Sequence, residues 1–122
     1  MNGQSILIVE SGLMDQKMVS DALQKEGFNV RLAFDTQEAL GMLIEKQPCV
    51  ILVGESMSKL DSCMFTRILK NDIQTSCIKI IILSYKSPDQ ERMIHCGFDG
   101  MINMKESKDS FVKKIRKILK KK

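Results

Sequence analysis

A chain of 122 residues, 43% hydrophobic and 28% charged, is the size of one ordinary domain: long enough for a single core and too short for two. No charged-then-apolar leader opens it, and no apolar run nears the roughly 20 residues that cross a bilayer, so a cytoplasmic protein is expected. The net charge of +4 is a local excess, because Lys113 to Lys122 carry seven basic side chains and no acid.

Two hydrophobic periods alternate along the chain, the pattern of parallel strands connected by helices. Ser5 to Val9 is an apolar run of strand length. Met14, Met18, Val19, Ala22 and Leu23 recur at helical spacing, and Gly27 supplies the stop. Phe28, Val30, Leu32 and Phe34 alternate at period two and predict a half-buried strand. Asp35 and Glu38 have capping-box spacing ahead of Ala39, Leu40, Leu43 and Ile44, and Pro48 closes that second helix. The unbroken run Cys49 to Val53 predicts a strand buried on both faces at the centre of a parallel sheet.

Phe65, Ile68 and Leu69 mark a third helix, with Asp61 as its N-cap, and Ile78 to Leu83 form a fourth strand ending at Ser84. Ser87, Pro88, Asp89 and Glu91 read as a helix start, with an N-cap hydroxyl, a proline at the first helical position and acids against the dipole; Gly97 ends that helix. Gly100 to Asn103 supply a short fifth strand. Phe111, Val112, Ile115, Ile118 and Leu119 give a last helix with one apolar stripe. Residues 1–122 are expected to form one domain of five β-α units, 117–122 being the basic tail of the last helix.

Cys49, Cys63, Cys77 and Cys96 have neither the pairs nor the spacing of a zinc ribbon or a CxxC site, and the expectation is reduced, structural thiols. His95 beside Cys96 has no second pair nearby in sequence and reads as a helix-end residue.

The stretches ILIVES (Ile6 to Ser11), PCVILVGESMSKLDS (Pro48 to Ser62), KIIILS (Lys79 to Ser84) and GFDGMINMK (Gly97 to Lys105) resemble, in order and separation, the receiver domain of bacterial two-component response regulators. The resemblance covers the chain almost end to end. It implies a flavodoxin-like (βα)5 doubly wound α/β fold, with a parallel sheet in order 2-1-3-4-5 and the site at the C-terminal strand ends. Receivers phosphorylate themselves on an aspartate at the end of the third strand, and the matching position here is Gly54. The family's acidic pair after the first strand falls on Glu10 and Ser11, so a hydroxyl stands where a carboxylate normally ligates metal. The backbone carbonyl of Ser56 matches the remaining protein ligand, and magnesium, which needs about six oxygens, is expected to bind weakly or not at all. The family's lysine falls on Met104, with Lys105 one residue on and turned to the other side by the pleat. Ser84 matches the hydroxyl residue that moves toward the phosphoryl group, and Met101 the switch aromatic.

The resemblance therefore implies a degenerate, non-enzymatic pseudo-receiver that works through its surface, needs no cofactor, and binds a protein partner through the fourth helix, fifth strand and fifth helix. Tyr85, Met93, Met101, Lys113, Arg116 and Lys117 are candidate contacts there. Alternatives are a weak phosphate-accepting receiver with a nonstandard site, or a binder of nucleic acid or an anionic surface through the basic last helix. Near the site, strand alternation should turn Glu55 away from Gly54. Glu10, costly to bury unpaired, is expected to pair with Lys59 or Lys105. Tyr85 is either an exposed contact or a filler of the site. Met57, Met64, Met93, Met101 and Met104 are core filler or adaptable contacts.

Overall fold

Alternating periods become alternating elements in the computed structural model, which describes residues 4–55, 57, 59–86 and 89–120. In chain order these are β1 (Ser5–Val9), α1 (Leu13–Lys25), β2 (Asn29–Ala33), α2 (Thr36–Glu45), β3 (Val50–Gly54), α3 (Ser62–Lys70), β4 (Lys79–Ser84), α4 (Gln90–Cys96), β5 (Gly100–Asn103) and α5 (Lys108–Lys120). All ladders are parallel and the strand order is β2-β1-β3-β4-β5, the flavodoxin-like order.

β3 holds the middle. Ile51 pairs with Leu7 on one side and Ile80 on the other, and all five β3 residues are buried. Because side chains alternate across the pleat, Ile6, Ile8, Val50, Leu52, Ile81 and Leu83 face α1 and α5. Leu7, Val9, Ile51, Val53, Ile80 and Ile82 face α2, α3 and α4. Each such side chain taken from water contributes about 1.5–3 kcal/mol.

Helix starts follow the capping chemistry of the sequence. The Asp35 carboxylate accepts from the Glu38 amide at 2.7 Å, while Glu38 reaches back to the Phe34 amide, also at 2.7 Å. Asp61 accepts from the Met64 amide at 2.8 Å. The N-cap of α4 is Asp89, accepting from the Arg92 amide; the start signal at Ser87 and Pro88 lies outside the described residues. Gly27 and Gly97 end α1 and α4 with φ of 91° and 86°, the left-handed region that glycine enters without a Cβ penalty.

Several expectations are corrected. β3 begins at Val50, and Cys49 just before it is exposed although its backbone already bonds to Ser5 O and the Lys79 amide. The alternation of β2 breaks at its far end, where Ala33 is buried while Leu32 and Phe34 are exposed; an edge strand has only one neighbour to cover it. Met14 and Ile44 belong to apolar stripes yet lie 86% and 88% exposed at helix margins. Cys63 and Cys96 are not free thiols but form a disulfide, with their Cα atoms 4.9 Å apart. α3 and α4 lie on one face of the sheet, and a separation of 33 residues leaves no local spacing to read.

Candidate functional site

The strand order reverses between β1 and β3, so the crevice beyond their C-terminal ends is where an open α/β sheet offers a site. Glu10 leaves the end of β1 there, and Gly54 is the last residue of β3. The Glu10 side chain crosses to Gly54. A Cβ built on Gly54 would stand 3.0 Å from Glu10 Cδ and inside the contact shell of Oε1. The glycine is thus covered by a carboxyl group from the neighbouring strand.

The other oxygen of that group is committed: Glu10 Oε2 accepts from the Gly12 amide at 2.8 Å. Behind it, buried Gln16 donates to the backbone carbonyls of Glu10 and Ala33, each at 3.2 Å, fixing the turn from β1 into α1. Burial pushes the Glu10 carboxyl up from its ordinary value of 4.5; the Gly12 amide opposes the rise and the Asp15 charge adds to it. No ion pair forms at Glu10 among the described residues. Lys59 and Lys105 are exposed, and the Gly12 amide supplies the bond expected from a lysine. Ser11 is exposed, and Ser56 lies outside the described residues.

On the other side of the crevice the Ser84 hydroxyl is 4% exposed and donates to Glu55 Oε1 at 2.7 Å, while accepting from the Lys86 amide at 3.0 Å. Glu55 Oε2 lies 3.9 Å from Arg92 of α4. Beyond Gly54 the Glu55 amide still bonds to Leu83 O at 3.1 Å, and its carboxylate reaches the crevice on the side of Ser84. Glu10, Asp15, Glu55, Leu83, Ser84, Tyr85, Lys86 and Met104 line a cavity of about 300 Å³. Tyr85 donates its hydroxyl across the mouth to Asp15 of α1, and that bond raises its pKa. Tyr85 thereby serves as a strap over the site while remaining half exposed. Asp15 and Gln16 were signalled in the sequence only as polar residues of the first turn of α1.

Met104 is partly buried against the α1/α5 core, and its amide donates to Ser84 O at 2.8 Å. Lys105 is held by its backbone, which donates to Asn103 Oδ1 at 2.8 Å. Glu10, whose carboxylate is already bonded to the Gly12 amide, Ser11 and Gly54 stand at the strand ends that flank this cavity. No cluster of three or more His, Cys, Asp or Glu residues suited to a metal is present among the described residues.

Met93 and Met101 are partly buried on the α2/α3/α4 side of the sheet, with Ile94 80% exposed beside them. Lys113 and Lys117 are exposed on α5. Arg116 turns instead to the end of α1, where it meets the Glu26 carboxylate at 3.2 Å and lies over the Phe28 ring at 5.0 Å. Among the described residues no helix is long and apolar enough to cross a membrane.

Comparison with known proteins adds the following. The model of the response regulator receiver domain matches residues 6–116. The phosphate regulon transcriptional regulatory protein PhoB of Pseudomonas aeruginosa is 27% identical over 121 residues, 98% of this chain and 53% of that protein. The polar-differentiation response regulator DivK of Brucella anthropi is 25% identical over 118 residues, 95% of this chain and 96% of that protein. The chain thus spans about half the length of PhoB and nearly all of DivK. Among solved structures, the chemotaxis response regulator CheY4 of Vibrio cholerae superposes with a TM-score of 0.89 at 20% identity, over 96% of this chain and 99% of that one, a likeness of fold.

Proposed function

This chain belongs to the response regulator receiver domain family, and from that membership we propose that it serves two-component signalling without accepting a phosphoryl group, as a module that binds a protein partner. The observation that carries this reading is the Glu10 carboxyl lying where a side chain on Gly54 would have to begin. Phosphoryl transfer needs a nucleophilic carboxylate in line with the incoming group and cationic charge on its oxygens. Gly54 supplies no nucleophile, Ser11 no second carboxylate and Met104 no cation.

A receiver is a two-state element that its phosphoryl group biases, and a ligand shifts such an equilibrium only by its differential affinity for the two states. Here the Ser84 hydroxyl already has an acceptor in Glu55. The domain therefore rests in one state, and the partner is what selects any other. The α4–β5–α5 face supplies the docking surface, with Met93, Ile94 and Met101 as the apolar centre and Lys113 and Lys117 as a basic rim. Such a face suits a protein with an apolar patch edged by acids.

The test is intact-mass analysis after incubation with acetyl phosphate and magnesium, a phosphorylatable receiver being run alongside. The expected result is an unchanged mass while the control gains a phosphoryl group. A magnesium-dependent phosphoryl adduct on this chain would overturn the reading. Binding to DNA or anionic vesicles that falls steeply with salt would instead favour the basic last helix as the working surface.

A further inference from the structure

Cys63 and Cys96 join two helices that little else holds together, and we propose that they form a reversible thiol–disulfide switch setting how firmly α4 sits on α3. α4 is only seven residues long, below the roughly 12–15 at which an isolated helix becomes even marginally stable, so it depends on tertiary anchors. Cys96 is its one buried side chain among the described residues, at 1% exposure, and it is the residue bonded to α3. Met93 adds a partly buried contact with the same core, and the other side-chain ties are polar. Arg92 stands 3.9 Å from the partly exposed Glu55, and His95 3.4 Å from Arg67 at exposed positions, where such contacts contribute about 0–1 kcal/mol.

The two sulfurs differ in access. Cys63 is half-buried near the start of α3 and within reach of a small thiol, while Cys96 is sealed among Phe98, Leu69 and their neighbours in the core. Oxidation by a low-molecular-weight disulfide proceeds in two exchanges. The Cys63 thiolate attacks one sulfur of the reagent and expels the first thiolate. The Cys96 thiolate then attacks Cys63 Sγ and expels the second. The two cysteine thiols are oxidised, the reagent disulfide is reduced to two thiols, and the two protons end on those products. Reduction by a dithiol runs the same steps backwards, entering at Cys63.

The consequence extends beyond α4. Arg92 faces the Glu55 carboxylate that accepts from Ser84, so loosening α4 loosens the contact behind the crevice. α4 also carries Met93 and Ile94; an effect on partner binding rests on the reading of the α4–β5–α5 face as the docking surface.

Hydrogen exchange read by mass spectrometry, in glutathione disulfide and in dithiothreitol, tests the switch. Alkylation after acid quench and unfolding in denaturant verifies the state: Cys49 and Cys77 are labelled in both, so an oxidised protein takes two labels and a reduced one four. Amides of residues 89–99 are expected to exchange about tenfold faster after reduction, with β1 and β3 unchanged. Cys63→Ser is expected to hold the fast rate in both conditions, the β3 amides reporting that it remains folded. Equal α4 exchange in verified oxidised and reduced protein, or a pair that resists reduction while the protein stays folded, would overturn the proposal. Faster α4 exchange with unaltered partner binding would uphold the switch and remove α4 from the docking face.

Discussion

Along β3, Val50 to Val53 are each flanked by β1 and β4 and buried under helices, whereas Gly54, one residue on, faces a carboxylate from the next strand. The two regions share strands, register and hydrogen-bonding pattern. The interior is held by apolar contact on both faces of the sheet, and the rim is a set of polar groups satisfying one another: Glu10 with Gly12, Glu55 with Ser84, Tyr85 with Asp15. The contrast teaches that apolar packing and rim chemistry are separate parts of the receiver architecture. The interior can persist while its rim is rebuilt.

Breaking the interior carries the largest effect. Ile81, fully buried between β3 and β5, is expected to cost about 2–5 kcal/mol on truncation to alanine, read as a lower midpoint in urea unfolding. At the rim, Gly54→Asp adds a carboxylate but must displace the Glu10 carboxyl. The expected result is about 1–3 kcal/mol of destabilisation at neutral pH and still no phosphoryl adduct by intact mass. A variant that accepts phosphate after this single change would show the rim to be far closer to a working site than the account allows.

A cap lies between the two in kind. Asp61→Ala, which removes the acceptor of the Met64 amide at the start of α3, is expected to cost about 1 kcal/mol with the fold retained, checked by the same unfolding curve. The smallest effect has the opposite sign. The folded pKa of Glu10 lies above its ordinary 4.5, so the folded protein binds more protons than the unfolded chain between those two values, and stability falls as pH rises through the folded pKa. Below about pH 4.5 the group is protonated in both states and the burial cost is absent. Glu10→Gln is expected to abolish this slope and raise stability at pH 7 by about 0.5 kcal/mol or less, the group being half in solvent. Unfolding curves at pH 4 and pH 7 for the two proteins check it.

The sequence foretold the interior better than the rim, for a physical reason. Strand burial is written in local periodicity, so β1 and β5 are predicted to the residue and β3 and β4 to within one. Capping is also local, and Asp35 and Asp61 act as their spacing indicates. At the rim, groups distant in the chain meet. Asp15 and Tyr85 are 70 residues apart, and Cys63 and Cys96 come together only because α3 and α4 share a face. The pairing of Glu10 with a lysine failed because a backbone amide two residues away satisfies the carboxylate first.

The most direct test of the central claim is an amide-resolved NMR titration with magnesium and then beryllofluoride, following Glu10, Gly54, Ser84 and α5. The account predicts no saturable shift at these amides at millimolar ligand. Saturable shifts that begin at Gly54 and spread to α5 would contradict it, and would mean that the phosphate-operated switch survives without its aspartate.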